Sequence, residues 1–484
     1  MNTTIRRLSI FCLLMFLVLM VNITWLQGIQ APSIKEDPLN RRQYAEQASA
    51  PRGPILVGGE NVAYSQNIAD EDDPARYQRV YEGGSMYTPI VGSFRNYGAS
   101  GVEAVENDLL NGSDDRLAVR NFRDMITGRE PEGAQVQLTL LPEVQEAGFN
   151  AFEALGDKNG AAVALDPNTG AILGAVSYPS YDPNTVVDIN NPQDSTDAYV
   201  ALEGDERKPL LNRAFNERYA PGSTFKVVTA AAAIETLDAG PDSTQEAPDQ
   251  LQFPAGPPLP NAMGSCNGGR PDTLAHSIQI SCNTSFANWA MEIGGEALSE
   301  QATAFGFNPE EPLSVPLSVV DSHAPVETDT SILGRAGIGQ SNVEATPLQM
   351  AMVAAGIANR GEVMRPYVVD SVRDSDLSVI TQTSPETYSE AVSASTAKTL
   401  TEMMVLVTTP PEGGGLNAAI PGMEVAGKTG TAENGTDRTH NWFIGFAPAD
   451  DPQIAVAVVV EFGGGSGNEL AAPIARQMME AVVL

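Results

Sequence analysis

The chain has 484 residues, more than one ordinary domain holds, and 42% of them are apolar, enough for a large buried core. Its formal net charge of −33 argues against a nucleic-acid partner, because such a surface repels phosphates. The three histidines are scattered and no cysteine pair suits zinc, so we expect no metal site.

The N-terminus predicts a membrane anchor. Arg6-Arg7 precede an almost unbroken apolar run, Leu8–Leu26. About twenty apolar residues span a bilayer, and a basic flank stays on the cytoplasmic side. A cleaved signal peptide is the alternative, but the run is long for one and Trp25–Ala31 offers no Ala-x-Ala cleavage pattern. We therefore expect residues 1–30 to form a cytoplasmic stub and a single transmembrane helix, with the rest outside the cytoplasm.

Residues 31–140 predict a small, irregular and β-rich module. Glu, Asp, Gly and Arg are frequent there, and long apolar periods are few. Short extended pieces are expected at Pro54–Val57 and Tyr87–Val91. The segment contains no recognisable catalytic constellation, so we interpret it as a non-catalytic pedestal or docking module.

The remaining residues, 141–484, predict an α+β domain. Alternating and short apolar runs bounded by turns favour strands, and longer periodic segments favour helices. Strands are expected at 136–141, 160–165, 171–177, 423–432, 441–447 and 453–462. Helices are expected at 142–155, from 223 onward, and at 271–292, 297–305, 345–359, 393–406 and 469–483. Strands at both ends with helices between them imply one antiparallel five-stranded sheet covered by helices.

Ser223 and Lys226 are the first candidates for chemistry. They begin a predicted buried helix directly after a Pro-Gly turn. Residues at i and i+3 share one helix face, so the amine can reach the hydroxyl. Burial lowers the pKa of a lysine, and a neutral lysine beside a serine is a base beside its nucleophile. A second Ser-x-x-Lys, Ser395 and Lys398, follows a polar loop and is interpreted as a solvated helix face.

Ser281 and Asn283 are the second candidate pair. The pattern Ser-x-Asn also occurs at Ser65, Ser265 and Ser466. Only Ser281-Cys-Asn283 lies between two apolar-patterned segments, as expected where a short loop projects from packed helices. A helix N-cap is the alternative reading of these residues.

Lys428-Thr-Gly-Thr431 is the third candidate and lies on a predicted strand. Side chains alternate along a strand, so Thr429 and Thr431 share a face where their hydroxyls can bind a carboxylate. Lys428 adds positive charge and would help to keep Lys226 neutral. Gly430 would leave room for an extended peptide along the strand edge. A plain turn is the alternative.

Taken in chain order, Ser223-x-x-Lys226, Ser281-x-Asn283 and Lys428-Thr-Gly430 resemble the three signature motifs of penicillin-recognising serine acyltransferases. Cys282, where class A β-lactamases have Asp, matches the penicillin-binding-protein variant. Longer runs are similar as well: residues 161–173, 178–184, 339–351, 427–433 and 441–447. The chain thus resembles the class B, monofunctional penicillin-binding proteins, in the short form found in actinobacteria.

The resemblance implies peptidoglycan D,D-transpeptidation without a cofactor. Ser223 would attack the carbonyl between two terminal D-alanines while Lys226 takes its proton. The oxyanion would lie between the backbone N–H groups of Ser223 and Thr431. Ser281 and Lys428 would relay a proton to the leaving D-alanine, Asn283 would orient the substrate, and Thr429, Thr431 and Lys428 would hold the terminal carboxylate. β-Lactams would acylate Ser223.

Two other functions stay open at this point. The same site could hydrolyse its acyl-enzyme, as D,D-carboxypeptidases and β-lactamases do, or the chain could be a penicillin-binding scaffold without turnover. The expected partners are stem peptides, β-lactams, the membrane, and a membrane glycosyltransferase with other division proteins.

Cysteine usage leaves one structural question open. Cys12 lies in the predicted anchor, and Cys266 and Cys282 are the other two cysteines. Outside the cytoplasm these two could form a disulfide, which would brace the loop that carries Ser281 and Asn283. The sequence does not determine whether their Cα atoms approach closely enough.

Overall fold

The computed structural model describes residues 3–30, 51–69, 76–95, 98–117, 126, 132–262, 264–436 and 438–484. An α-helix spans Thr3–Trp25 and continues as a π-helical turn, Leu26–Gln30. The segment Ile5–Gln30 has a mean hydropathy of 2.4, so it is long and apolar enough to cross a membrane once, as expected. The start of the predicted docking module, residues 31–50, lies outside the described residues.

A six-stranded sheet follows, and it draws strands from two distant parts of the chain. Ile55–Val57 pairs in parallel with Gln135–Leu138, and the other neighbours are antiparallel. The strand order is Val379–Gln382, Val369–Arg373, Gln135–Leu138, Ile55–Val57, Glu60–Asn67 and Tyr77–Tyr81. Short elements beside it are Gly84–Met86, Thr88–Val91, Phe94–Arg95, Gly98–Ala99, Gly101–Val105, Asn107–Leu110 and Asp115–Leu117.

The second sheet has five strands, all antiparallel, which confirms the predicted α+β class. Its order is Ala426–Ala432, His440–Ala447, Ile454–Val460, Gly160–Leu165 and Ile172–Tyr178. The three middle strands are buried along their whole length, which explains their continuous apolar sequences. The two outer strands are Ala426–Ala432 and Ile172–Tyr178, and we call Ala426–Ala432 the edge strand.

Helices cover both faces of this sheet. Along Ile454–Val460, alternate residues belong to two separate hydrophobic clusters, as the twofold period of a strand requires. One cluster includes Pro142–Ala154 and Gly467–Val483, which we call the closing helix. The other includes Pro347–Ala358 and Lys226–Leu237, which we call the central helix.

The remaining elements connect and surround these layers. The other helices are Pro183–Val186, Pro192–Glu203, Arg213–Asn216, Gly222–Phe225, Leu274–Gln279, Asn283–Ile293, Gly295–Ala304, Thr330–Ala336, Ala394–Thr408 and Leu416–Ala418. The other strands form the pairs Thr244–Gln245 with Asp272–Thr273, Gln250–Leu251 with Leu259–Pro260, and Glu362–Met364 with Thr387–Glu390.

Two element predictions were wrong. Tyr87–Val91, expected to be extended, contains the short helix Thr88–Val91, in which Pro89 occupies the first turn, where a proline suits a helix. The single helix expected at 271–292 is two helices, because the chain turns at residues 280–282 between Leu274–Gln279 and Asn283–Ile293. That turn carries Ser281.

Candidate functional site

Ser223 lies in a single 3-10 turn, Gly222–Phe225, that leads directly into the central helix. Gly222 adopts the left-handed conformation, with φ +55°, which glycine enters without steric cost. Ser223 is partly exposed, whereas Lys226 is fully buried at the first position of the helix. The turn therefore combines a partly exposed serine with a buried lysine three residues later.

The segment before Ser223 makes three contacts with two other parts of the fold. Tyr219 forms an isolated antiparallel bridge with Ala345. The Trp442 indole donates a hydrogen bond to the Ala220 carbonyl at 3.0 Å. The Gly222 N–H donates to the Gly339 carbonyl at 2.9 Å. These contacts join the turn to the sheet and to the 339–345 loop, so its position is defined by long-range packing.

Lys226 connects the turn to the Ser-x-Asn loop. Its Nζ donates to the Ser281 carbonyl at 2.7 Å, to Ser281 Oγ at 3.2 Å and to Asn283 Oδ1 at 2.7 Å. None of these three hydrogen bonds goes to Ser223. The structure thus brings Lys226, Ser281 and Asn283 together, with Ser223 three residues before the lysine on the same turn.

Both lysines of the site are buried, and burial shifts both pKa values downward. The pKa of Lys226 falls well below its usual value because of burial and, second, because of repulsion from Lys428. Burial lowers the pKa of Lys428 to about 7. A neutral amine has two N–H groups, and the two carbonyl oxygens at 2.7 Å can accept both. The nitrogen lone pair of Lys226 is then available to take a proton.

The Ser-x-Asn loop has a strained backbone held by several contacts. Ser281 has φ +62°, a conformation that costs a non-glycine residue about 1–2 kcal/mol. Asn261 Oδ1 accepts hydrogen bonds from the N–H groups of Asn283 and the next residue, both at 3.0 Å, and so caps the helix that begins there. Cys266 and Cys282 are joined by a disulfide. The loop is therefore fastened directly after Ser281, by the disulfide at Cys282 and by the cap at Asn283.

Lys428, Thr429 and Thr431 alternate along the edge strand. Lys428 points into the protein and its Nζ donates to the Thr429 carbonyl at 3.1 Å. Thr429 is partly exposed and its hydroxyl donates to the Gly414 carbonyl at 3.3 Å, while Thr431 is exposed. The two threonines share the opposite face, as the alternation predicts.

Gly430 differs from the expectation that it leaves room for a peptide. A side chain at this position would lie 3.0 Å from the Pro221 carbonyl oxygen and 3.1 Å from Thr224 Cγ2. The missing side chain therefore lets the edge strand approach the turn that carries Ser223. This contact brings the third motif beside the first.

The other copies of the short motifs lie elsewhere. Ser395 and Lys398 are exposed on the helix Ala394–Thr408, where Lys398 faces Glu402 at 3.8 Å, a solvated helix face as predicted. Ser265 is exposed, and Ser466 caps the closing helix. Within the described residues, no group of three or more His, Cys, Asp or Glu side chains could hold a metal ion.

Sequence reasoning missed two contributors to the site. Asn261, which caps the helix at Asn283, belongs to no motif and lies in a Pro- and Gly-rich loop. The second contributor is the turn 409–415, where the Gly414 carbonyl accepts a hydrogen bond from Thr429. The Gly414 N–H donates to the Gln279 carbonyl at 3.3 Å, at the end of the helix Leu274–Gln279. A Gly-Gly-Gly run signals only a turn, so its target was not predictable.

A five-stranded antiparallel sheet between helical layers, with these three motifs gathered at its edge strand, defines the class of penicillin-recognising serine enzymes. The chain belongs to the penicillin-binding protein transpeptidases: residues 160–480 match the penicillin binding protein transpeptidase domain. Residues 52–136 match the penicillin binding protein A dimerisation domain.

Relatives along the full length agree with this assignment. Peptidoglycan D,D-transpeptidase PbpA of Mycolicibacterium smegmatis is 41% identical over 100% of this chain and 99% of its own length. The protein of that name from Mycobacterium tuberculosis is 40% identical over the same shares. The solved ceftriaxone acyl-enzyme complex of M. tuberculosis penicillin-binding protein A is 40% identical, with a TM-score of 0.85 over 91% of this chain and 100% of that chain.

Proposed function

We propose that this chain is a peptidoglycan D,D-transpeptidase that works through an acyl-enzyme on Ser223. The observation that carries the proposal is Lys226, a fully buried amine three residues after Ser223 that is hydrogen-bonded to both Ser281 and Asn283. Burial and the nearby Lys428 lower the pKa of this amine, which increases the neutral fraction that can act as a base. The names of the full-length relatives point to the same reaction.

In acylation, the Ser223 hydroxyl attacks the carbonyl between two terminal D-alanines and its proton passes to Lys226. The Ser223 and Thr431 N–H groups hold the oxyanion. The proton then moves through Ser281, with Lys428 beside it, to the nitrogen of the leaving D-alanine. The amine of a second stem peptide attacks the ester, loses its proton along the same path, and restores the Ser223 hydroxyl.

Binding of the donor uses the remaining motif residues. Lys428 supplies positive charge for the terminal carboxylate, and the hydroxyls of Thr429 and Thr431 donate hydrogen bonds to it. Asn283 orients the donor amide. β-Lactams present a similar carboxylate and a reactive carbonyl, so they acylate Ser223 and block it. A carbonyl attacked by serine needs no cofactor in this scheme.

The location of the enzyme is inferred from its apolar N-terminal helix and the two arginines within it. We infer that residues 31–484 lie outside the cytoplasm, since one apolar N-terminal helix is long enough to cross a membrane and Arg6-Arg7 near its start favour the cytoplasmic side. The segment 31–140 serves as a docking module for a membrane glycosyltransferase and other division proteins. Residues 141–484 perform the transpeptidation of cell-wall synthesis.

Labelling with a fluorescent penicillin, followed by mass spectrometry of the labelled peptide, tests the nucleophile. The adduct is expected on Ser223, and Ser223→Ala should abolish labelling. Ser395→Ala, which changes the surface copy of the same motif, should label like the unchanged protein. An adduct on any other serine would overturn the assignment. Incubation with donor and acceptor peptides should give the cross-linked product; free acid alone would indicate a hydrolase.

The rate of Ser223 acylation is expected to follow a bell-shaped pH profile. The rate rises as Lys226 loses its proton, because only the neutral amine can accept one. It falls above a pH of about 7, where Lys428 loses the charge that attracts the carboxylate. In Lys428→Arg the guanidinium stays charged, so the falling limb should disappear and the rising limb remain. Stopped-flow acylation by a chromogenic cephalosporin measures both limbs; an unchanged falling limb would refute this role of Lys428.

A further inference from the structure

The first residue of the closing helix, Gly467, lies directly on the backbone of two strands. A methyl group at this position would collide with the Trp442 carbonyl oxygen. It would also lie 2.7 Å from the Gly430 carbonyl oxygen and 3.1 Å from the Gly430 nitrogen. These distances are shorter than ordinary van der Waals contact. The start of the helix therefore contacts the backbone of the edge strand at Gly430 and the backbone of the neighbouring strand at Trp442.

The backbone of the edge strand at Gly430 is also in close contact on its other side. At Gly430 the missing side chain admits the Pro221 carbonyl oxygen and the Thr224 methyl group. The edge strand is thus held between the turn that carries Ser223 and the start of the closing helix. Neither Gly430 nor Gly467 has a side chain that could rearrange to absorb a shift of the helix. A small shift of the helix therefore displaces the strand.

The start of the closing helix is itself anchored. Ser466 and Glu469 form a capping box, with Ser466 Oγ accepting from the Glu469 N–H and Glu469 Oε2 accepting from the Ser466 N–H. Asn468 Oδ1 accepts from the Asn417 N–H at 2.9 Å, and the Asn468 carbonyl accepts from the Asn417 side chain. The position of Gly467 is therefore well defined.

The Gly430 carbonyl and the Thr431 N–H belong to one planar peptide group and point in opposite directions. Whatever fixes the carbonyl oxygen also fixes the direction of the N–H. We propose that Gly467 is a positioning residue that aims the Thr431 N–H at the oxyanion formed during acylation of Ser223. The inference rests on the proposed function, in which Thr431 N–H is one of two oxyanion donors.

The test is Gly467→Ala in the full chain, with penicillin acylation measured by stopped flow. The oxyanion forms only during the reaction, so the acylation rate constant should fall about tenfold or more. The dissociation constant of the preceding non-covalent complex should stay within about twofold, because that complex carries no oxyanion. Gly240→Ala is the matched control: a methyl group there meets no atom within 4 Å, and its backbone is not left-handed.

A second variant keeps the test decisive if Gly467→Ala does not fold. Ser466→Ala removes only the cap, loosens the first helical turn and should lower the acylation rate constant about threefold with an intact fold. An unchanged rate constant in a folded Gly467→Ala protein, or in Ser466→Ala where Gly467→Ala is unfolded, would overturn the proposal. Failure of the unchanged protein to be acylated at all would instead overturn the proposed function.

Discussion

Replacing Lys226 with methionine is expected to slow acylation of Ser223 about 1,000-fold, since a positioned general base contributes about 10²–10⁴ in rate. Methionine has a similar length and is apolar, so it fills the buried space but cannot accept a proton. The loss corresponds to about 4 kcal/mol of transition-state stabilisation. Non-covalent binding of the antibiotic should change little, because Lys226 bonds to Ser281 and Asn283 inside the protein.

Stopped-flow acylation kinetics with penicillin would measure this effect, with intact mass spectrometry to detect the slow adduct. Lys398→Met is the matched control, because Lys398 occupies the equivalent position of the second Ser-x-x-Lys but is exposed. That variant should acylate at the normal rate. If Lys226→Met acylated within about threefold of the unchanged protein, Lys226 would not be the base, and another group would have to accept the proton.

The inner strands of the five-stranded sheet were predictable because each is a short, mostly apolar run between turns. Gly160–Leu165 and Ile454–Val460 show this clearly, as both are buried on both faces. Their pairing was not predictable from local pattern, since the two strands are neighbours in the sheet but lie far apart in the chain. The local periodicity of a strand contains no information about its partner.

In the site, too, local spacing was predictable from the sequence and long-range contacts were not. The spacing of Ser223 and Lys226 indicates that the amine can reach the hydroxyl, but it does not identify the other groups that the amine contacts. In the structure the amine is hydrogen-bonded to Ser281 and Asn283. The direction of a buried polar side chain depends on which acceptors the rest of the fold brings to it, and those acceptors come from a distant loop.

Close approaches of backbone were beyond sequence reasoning altogether. Gly339 has a left-handed conformation, and a side chain there would collide with the Gly222 carbonyl oxygen. Gly467 and Gly430 show similar contacts. A glycine in a sequence signals a turn, a flexible segment or a close contact, and only the fold distinguishes these cases.

Replacing Glu103 with glutamine is expected to destabilise the N-terminal part of the protein by about 3–5 kcal/mol, the usual cost of breaking a buried ion pair. Glu103 Oε2 accepts from Arg52 at 2.9 Å and Oε1 from Arg79 at 2.6 Å. The Tyr81 hydroxyl donates to the same Oε1 at 3.2 Å. All three charged side chains are at least 97% buried, so glutamine would leave two guanidinium groups without a counter-charge.

The pH dependence of this network has a definite sign. Burial alone would raise the pKa of Glu103, but Arg79 and Arg52 together hold it below its usual value of 4.5. A carboxyl whose folded pKa is lowered stabilises the fold at pH values above its unfolded pKa. That contribution is lost as the pH falls through the folded pKa. The stability difference between the unchanged protein and Glu103→Gln should therefore be full at neutral pH and shrink in acid.

Differential scanning calorimetry at neutral and acidic pH would measure this difference. Glu106→Gln is the matched control: Glu106 lies one turn further along, is only partly buried, and burial raises its pKa, so losing its charge should cost little. Acylation of Ser223 at temperatures below the transition should be unchanged, because the network lies in the six-stranded sheet region and not among the site residues. A difference between Glu103→Gln and Glu106→Gln of less than about 1 kcal/mol would mean that water or backbone groups, not Glu103, compensate the two arginines.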